Sequence, residues 1–148
     1  MIGTLTAALF AVMAAASVAL AQPAGHIGQW ACQMTYTELD RQGNRTSGFT
    51  RDYRMAVRAD GSFEAIGSIA GAAGYHQFRS RGTWQSQGPS MIARGLEQTS
   101  DPWQMPGIDF VFTGTLQSDG TISYRYEQLD PYQQYVMVRT LYYCERRA

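Results

Sequence analysis

Lysine is absent from this 148-residue chain, and histidine occurs only twice, at His26 and His76. Twelve arginines balance twelve acidic residues, so the formal net charge is zero. No basic stripe or charged tail is present to hold a polyanion, which excludes nucleic-acid binding by electrostatic attraction. Cysteine is equally scarce, with Cys32 and Cys144 standing 112 positions apart. Neither belongs to a C-x-x-C pair or sits beside a histidine, so no metal-ligand spacing is present. Catalytic signatures are missing too. No serine lies in a G-x-S-x-G elbow and no H-E-x-x-H run occurs. The expectation is a protein that is not an enzyme and carries no cofactor.

One apolar run is present. Residues 1–21, MIGTLTAALFAVMAAASVALA, carry no charge and end in the small-x-small pattern Ala19-Leu20-Ala21. This reads as a secretory signal peptide, although its basic start is lacking. A membrane anchor is the alternative, since a run of about 20 residues approaches a bilayer span. Residues 22–28 then form an N-terminal arm, and residues 29–148 a single domain. Export to the bacterial periplasm or outside the cell follows. In that setting two cysteines read first as one disulfide, Cys32–Cys144, and otherwise as two free thiols.

Beyond the signal peptide no long 3.6-residue period occurs. Alternation recurs instead, broken by turn residues every ten to fifteen positions, which predicts an all-β chain. Eight strands are expected, near 29–39, 48–59, 62–70, 76–86, 90–98, 108–117, 121–129 and 134–145. One face carries Trp30, Cys32, Met34 and Tyr36, then Phe49, Tyr53, Met55 and Val57, then Phe63, Ala65, Gly67 and Ile69. It continues through Phe78, Ser80, Gly82 and Trp84, then Ile108, Phe110, Phe112 and Leu116, and ends on Ile122, Tyr124 and Tyr126. The fifth and eighth strands alternate poorly. Asp60-Gly61 and Asp119-Gly120 mark tight hairpins. The connections 2–3, 4–5 and 6–7 are short. The connections 1–2, 3–4, 5–6 and 7–8 (DRQGNRTS, GAAGY, TSDPWQMPG and DPYQQ) are longer. In an antiparallel meander this puts short turns at one end and long loops at the other, which is the pattern of an eight-stranded up-and-down barrel. Closing it makes the first and last strands neighbours, with Cys32 and Cys144 at one height. An outer-membrane barrel shares this layout, with its apolar face outward. The glycines on the apolar face and the absence of a terminal aromatic favour the water-soluble form, with no membrane insertion.

Gly28-Gln29-Trp30 resembles the G-x-W signature of the calycin group, which includes lipocalins and avidins. Export signal, G-x-W first strand, meander and looped open end are similar in order. Gly82-Thr83-Trp84 fits the same three-residue pattern, and the longer lipocalin motifs are missing. The resemblance implies a lipocalin-like barrel whose closed end is crossed by Trp30 beneath a late arginine, either Arg146 or Arg139. Small periplasmic inhibitors of secreted metalloproteases look similar as well.

The loop end is the candidate site. Trp103 and Met105 lie between two prolines, and Tyr75, His76, Tyr132 and Tyr135 are expected to ring the same mouth. Asp101, Asp109 and Asp130 fall nearby. Aromatic loops on a rigid scaffold commonly bind. An eight-stranded barrel is either filled by its side chains or holds one small ligand, and the mix of bulky and small inward residues leaves both open. Two functions are therefore expected: a binding module for a small, partly apolar ligand, or a protein-interaction module using the loops or the arm 22–28.

Overall fold

Alternating side chains give each strand one apolar face, and eight such strands bury it by rolling into a closed antiparallel barrel. A computed structural model describes residues 25–101 and 107–148. The strands are β1 (Gly28–Leu39), β2 (Arg45–Val57), β3 (Ser62–Gly71), β4 (Gly74–Gln87), β5 (Ser90–Thr99), β6 (Ile108–Leu116), β7 (Ile122–Leu129) and β8 (Val136–Arg146). Each pairs with its neighbour in sequence, and β1 closes on β8. The apolar face points inward. Trp30, Met55, Phe63, Met91, Phe112 and Ile122 are buried, while Arg54, Arg79, Arg81 and Arg94 are exposed outside.

Cys32 and Cys144 are register partners on β1 and β8, with Cα atoms 4.0 Å apart, and they form a buried disulfide. The bond ties the barrel seam and fits an oxidising, exported compartment. The hairpins form at both Asp-Gly pairs. Gly61 and Gly120 take φ of 82° and 83°, a conformation that costs glycine nothing. Asp60 and Asp119 accept hydrogen bonds from the amides of Ser62 and Thr121.

The turn end is plugged. Trp30 is fully buried and donates from Nε1 to the carbonyl of His26 at 3.0 Å. His26 lies under the barrel, 1% exposed, with Nε2 2.9 Å from the carbonyl of Pro89. The described part of the arm, residues 25–27, thus packs beneath the closed end. Of the two candidate arginines, Arg146 covers Trp30, with its guanidinium 4.5 Å from the ring centroid. Arg139 instead pairs with Glu127 on the outside.

Two expectations are corrected. The segment 71–75, read as a long loop, is taken into the strands, and only Ala72 and Ala73 separate β3 from β4. Glycine explains part of this, because Gly71 and Gly74 pair directly and Gly74 takes φ of 105° at the turn. Tyr126, placed in the core, is 47% exposed. Its strand pairs with β6 only through Ser123 and Ile122, so beyond Ser123 the wall that would cover it has moved away. Of the small residues on β3–β5, which left a filled or a hollow interior open, two are required by close backbone contact. A Cβ on Gly82 would lie 1.9 Å from the Arg94 carbonyl oxygen, and one on its partner Gly95 would lie 2.0 Å from that of Arg81. These glycines let the two paired backbones come together.

Candidate ligand-binding site

Inward parity on β2 runs Phe49, Arg51, Tyr53, Met55 and Val57, and on β5 it runs Met91, Ala93, Gly95 and Glu97. Each strand therefore delivers one charge into an apolar interior. The two charges meet. Arg51 Nη1 and Nη2 donate to Glu97 Oε2 and Oε1 at 2.7 and 3.0 Å, a two-pronged ion pair across the barrel. Its side chains are 17% and 5% exposed. The Ser80 hydroxyl, fully buried on β4, donates to Glu97 Oε2 at 2.9 Å. Arg51 is also flanked by aromatic rings, with Phe78 at 4.9 Å and Phe49 at 5.6 Å from its guanidinium carbon.

Arg51 divides the loop half of the barrel in two. Outward lies a vestibule of about 460 Å³ among Tyr36, Glu38, Phe49, Ile69, His76 and Asp101. Inward lies a chamber of about 300 Å³ whose apolar wall is Met34, Ala65, Phe78 and Phe110. Arg51 lines both spaces. Below the chamber, the Trp30 and Phe112 layer fills the barrel. To one side the chamber is bounded by Asp109, Phe110 and Val111 of β6, a stretch with no β7 partner.

Two residues that line the chamber each carry a buried polar atom without a hydrogen-bond partner, Arg51 Nε and Tyr53 Oη, and neither atom has surface toward the chamber. Tyr53 is 8% exposed. Burial first, and then the neighbouring Tyr142, pushes its hydroxyl well above the ordinary phenol range, so it stays protonated. Burial raises Tyr142 in the same way.

The residues expected at the mouth are distributed differently. His76 lines the vestibule, with Nε2 3.1 Å from the Ala73 carbonyl and 4.0 Å from the Asp101 carboxylate. Tyr75 and Tyr132 point into solvent, 66% and 79% exposed. Tyr135 lies in the β7–β8 loop, where Asp130 accepts from the amides of Tyr132, Gln134 and Tyr135. Trp103 and Met105 lie outside the described residues. The expected list omitted Arg51, Glu97, Ser80 and Tyr142. The available signal was parity: read strictly, positions 49 to 57 put Arg51 inside, and positions 91 to 97 put Glu97 there.

No protein-family model matches this chain, and no curated protein resembles it significantly. The site therefore rests on its own geometry. Among the described residues, no group of three or more histidines, cysteines and carboxylates is placed to hold a metal ion. A surface concavity of about 1000 Å³ is an open saddle on the outside of β1, β2, β3 and β8, bearing charged residues such as Asp52, Arg54 and Glu64. It is more open than the chamber inside the barrel, which makes it the weaker site.

Proposed function

We propose that this chain is an exported, non-catalytic barrel that binds a small, partly apolar ligand inside its loop half. The observation that carries this reading is the chamber, with its apolar wall of Met34, Ala65, Phe78 and Phe110 beside the Arg51–Glu97 pair. Its 300 Å³ sits at the small end of ligand pockets. Trp30 beneath Arg146 is the closed-end arrangement that the lipocalin resemblance implies, and it supports a calycin-type assignment. The charged outer face, with Arg54, Arg79, Arg81 and Arg94 exposed, supports a barrel in water rather than in lipid. The disulfide and the apolar N-terminal run support the periplasm or the exterior of a bacterial cell.

Native mass spectrometry of the protein taken gently from its host's envelope fraction tests this. A small added mass that leaves on denaturation is expected. A bare mass, with no uptake of small apolar compounds, would sink the reading. The exposed Tyr75 and Tyr132 at the loop end favour a second one, a protein-interaction module such as a protease inhibitor or envelope-assembly accessory. Under that reading a second protein's mass appears instead.

A further inference from the structure

The barrel wall carries an open seam. β6 and β7 pair only at Thr115–Ser123 and Leu116–Ile122, next to their hairpin. Beyond it, β6 from Asp109 to Thr113 is held by β5 alone, and β7 from Tyr124 to Leu129 by β8 alone. Among the described residues no turn or loop backbone covers either edge. Each edge therefore presents free N–H and C=O groups along the seam. Natural edges are commonly blunted by lysine, proline or several charges. Asp109 to Thr113 reads DFVFT, with a single charge and neither lysine nor proline. Apolar side chains stand on both faces of the seam. Val111 on the outer face is 57% exposed, and Tyr126, whose parity is inward, is 47% exposed. An acyl chain lying here would cover the backbone groups without pairing them. An extended polypeptide carries the same alternating donors and acceptors and satisfies them.

We propose that the seam docks an extended peptide segment of a partner protein, added antiparallel to β6 as an extra strand. The segment carries uncharged β-branched residues opposite Phe110, Val111 and Phe112, and an arginine or lysine opposite Asp109. Charge selects β6 over β7. Arg125 and Glu127 on β7 are paired with each other, and Glu127 also with Arg139. Asp109 is exposed and has no ion pair among the described residues. A strand inserted between two antiparallel neighbours is antiparallel to only one of them, and the antiparallel ladder is the stronger. Main-chain pairing supplies affinity here, and the side chains facing Asp109 and Val111 supply selectivity. The strand lies along the wall rather than inside the chamber, so the proposal goes beyond the small-ligand reading and does not depend on it.

The probe is the peptide acetyl-Ser-Thr-Val-Ile-Val-Arg-amide, whose arginine falls opposite Asp109, titrated into the isotope-labelled natural protein by NMR. Saturable binding is expected, with shifts in the amides of Asp109–Thr113. Methylating two alternate peptide amides, in each of the two frames, distinguishes backbone pairing from apolar contact. One frame is expected to weaken binding at least about tenfold, and the other less. Exchanging the peptide's arginine for glutamate weakens it by about two- to fivefold, and Asp109→Arg reverses that preference. Asp109 is exposed, and circular dichroism verifies the fold of that variant. Absence of saturable binding overturns the proposal, as do shifts confined to residues away from the seam. So does binding that both methylated forms retain in full, or a charge preference that Asp109→Arg leaves unmoved. A small adduct on the natural protein, without peptide binding, leaves the small-ligand reading standing while this one falls.

Discussion

Arg146 and Trp30 are register partners on β8 and β1, and the guanidinium of one lies over the indole of the other. The same guanidinium donates to the carbonyls of Ile27 and Gly25 at 2.7 and 2.6 Å. One side chain thus closes the barrel floor and holds the arm beneath it. Arg146→Ala loses both contacts and is expected to cost about 1–2 kcal/mol. Arg146→Lys recovers less than half, because an ammonium is not planar and cannot stack while reaching two carbonyls. Thermal unfolding of the two variants ranks them. Equal midpoints for Arg146→Lys and the natural protein would refute the stacking role.

The disulfide closes a loop of nearly the whole domain. Replacing both cysteines with alanine removes a cross-link over a separation of 112 residues. On the chain-entropy model the loss is at most about 4–5 kcal/mol. Ligand uptake at low temperature is expected to be unchanged, because Cys32 and Cys144 do not line the chamber. Denaturant titration gives the first quantity and calorimetry the second. A folded variant that no longer binds would show that the seam shapes the chamber.

The Arg51–Glu97 pair is expected to behave non-additively. Glu97→Leu strands a buried guanidinium and costs roughly 3–5 kcal/mol. Adding Arg51→Met removes the stranded charge, and the double variant returns to within about 1 kcal/mol of the natural protein or exceeds it. Urea unfolding of the four forms completes the cycle. Simple addition of the two single effects would mean that the charges do not communicate.

Acid should unfold the protein through its outer ion pairs. Hydrogen bonds from Arg79, and then Arg58, hold Glu64 below the ordinary glutamate value of 4.5. Hydrogen bonds from Arg139, and then Arg125, do the same for Glu127. A folded value below the unfolded one means stabilisation that is complete above about pH 4.5. It is lost as pH falls through the lower folded values. Unfolding midpoints measured from pH 6 to about pH 2.5 should be flat and then fall. The double variant Glu64→Gln, Glu127→Gln should begin lower and fall less steeply. An identical acid limb in that variant would place the effect elsewhere, for instance at Asp130. There burial raises the pKa and is outweighed by the amides of Tyr135, Gln134 and Tyr132.

The fold was legible because its signals are local. Alternation marked the strands, and Asp60-Gly61 and Asp119-Gly120 marked two hairpins through a backbone conformation that glycine takes freely. Connection lengths gave the barrel, and the barrel gave the cysteine pairing. The site was less legible, because attention to loop aromatics such as Tyr75 and Tyr132 passed over charges on strands. Arg51 has the right parity to face inward, yet one strand offers no reason to bury an arginine. The reason is Glu97, which is 46 residues away.

Composition and alternation, by themselves, determined an all-β chain with one apolar face, its eight strands and the cross-link of its first and last strands. The strands follow from two-residue periodicity and turn chemistry within a short window, and the cross-link from the presence of two cysteines on the strands that closure makes neighbours. Tertiary structure alone decided that Arg146 rather than Arg139 covers Trp30, that β6 parts from β7 beyond Ser123, and that Arg51 and Glu97 neutralise each other beside an interior chamber. Those outcomes depend on register and shear around the closed sheet. Both bring side chains from distant strands to one height, and neither is encoded in any single segment.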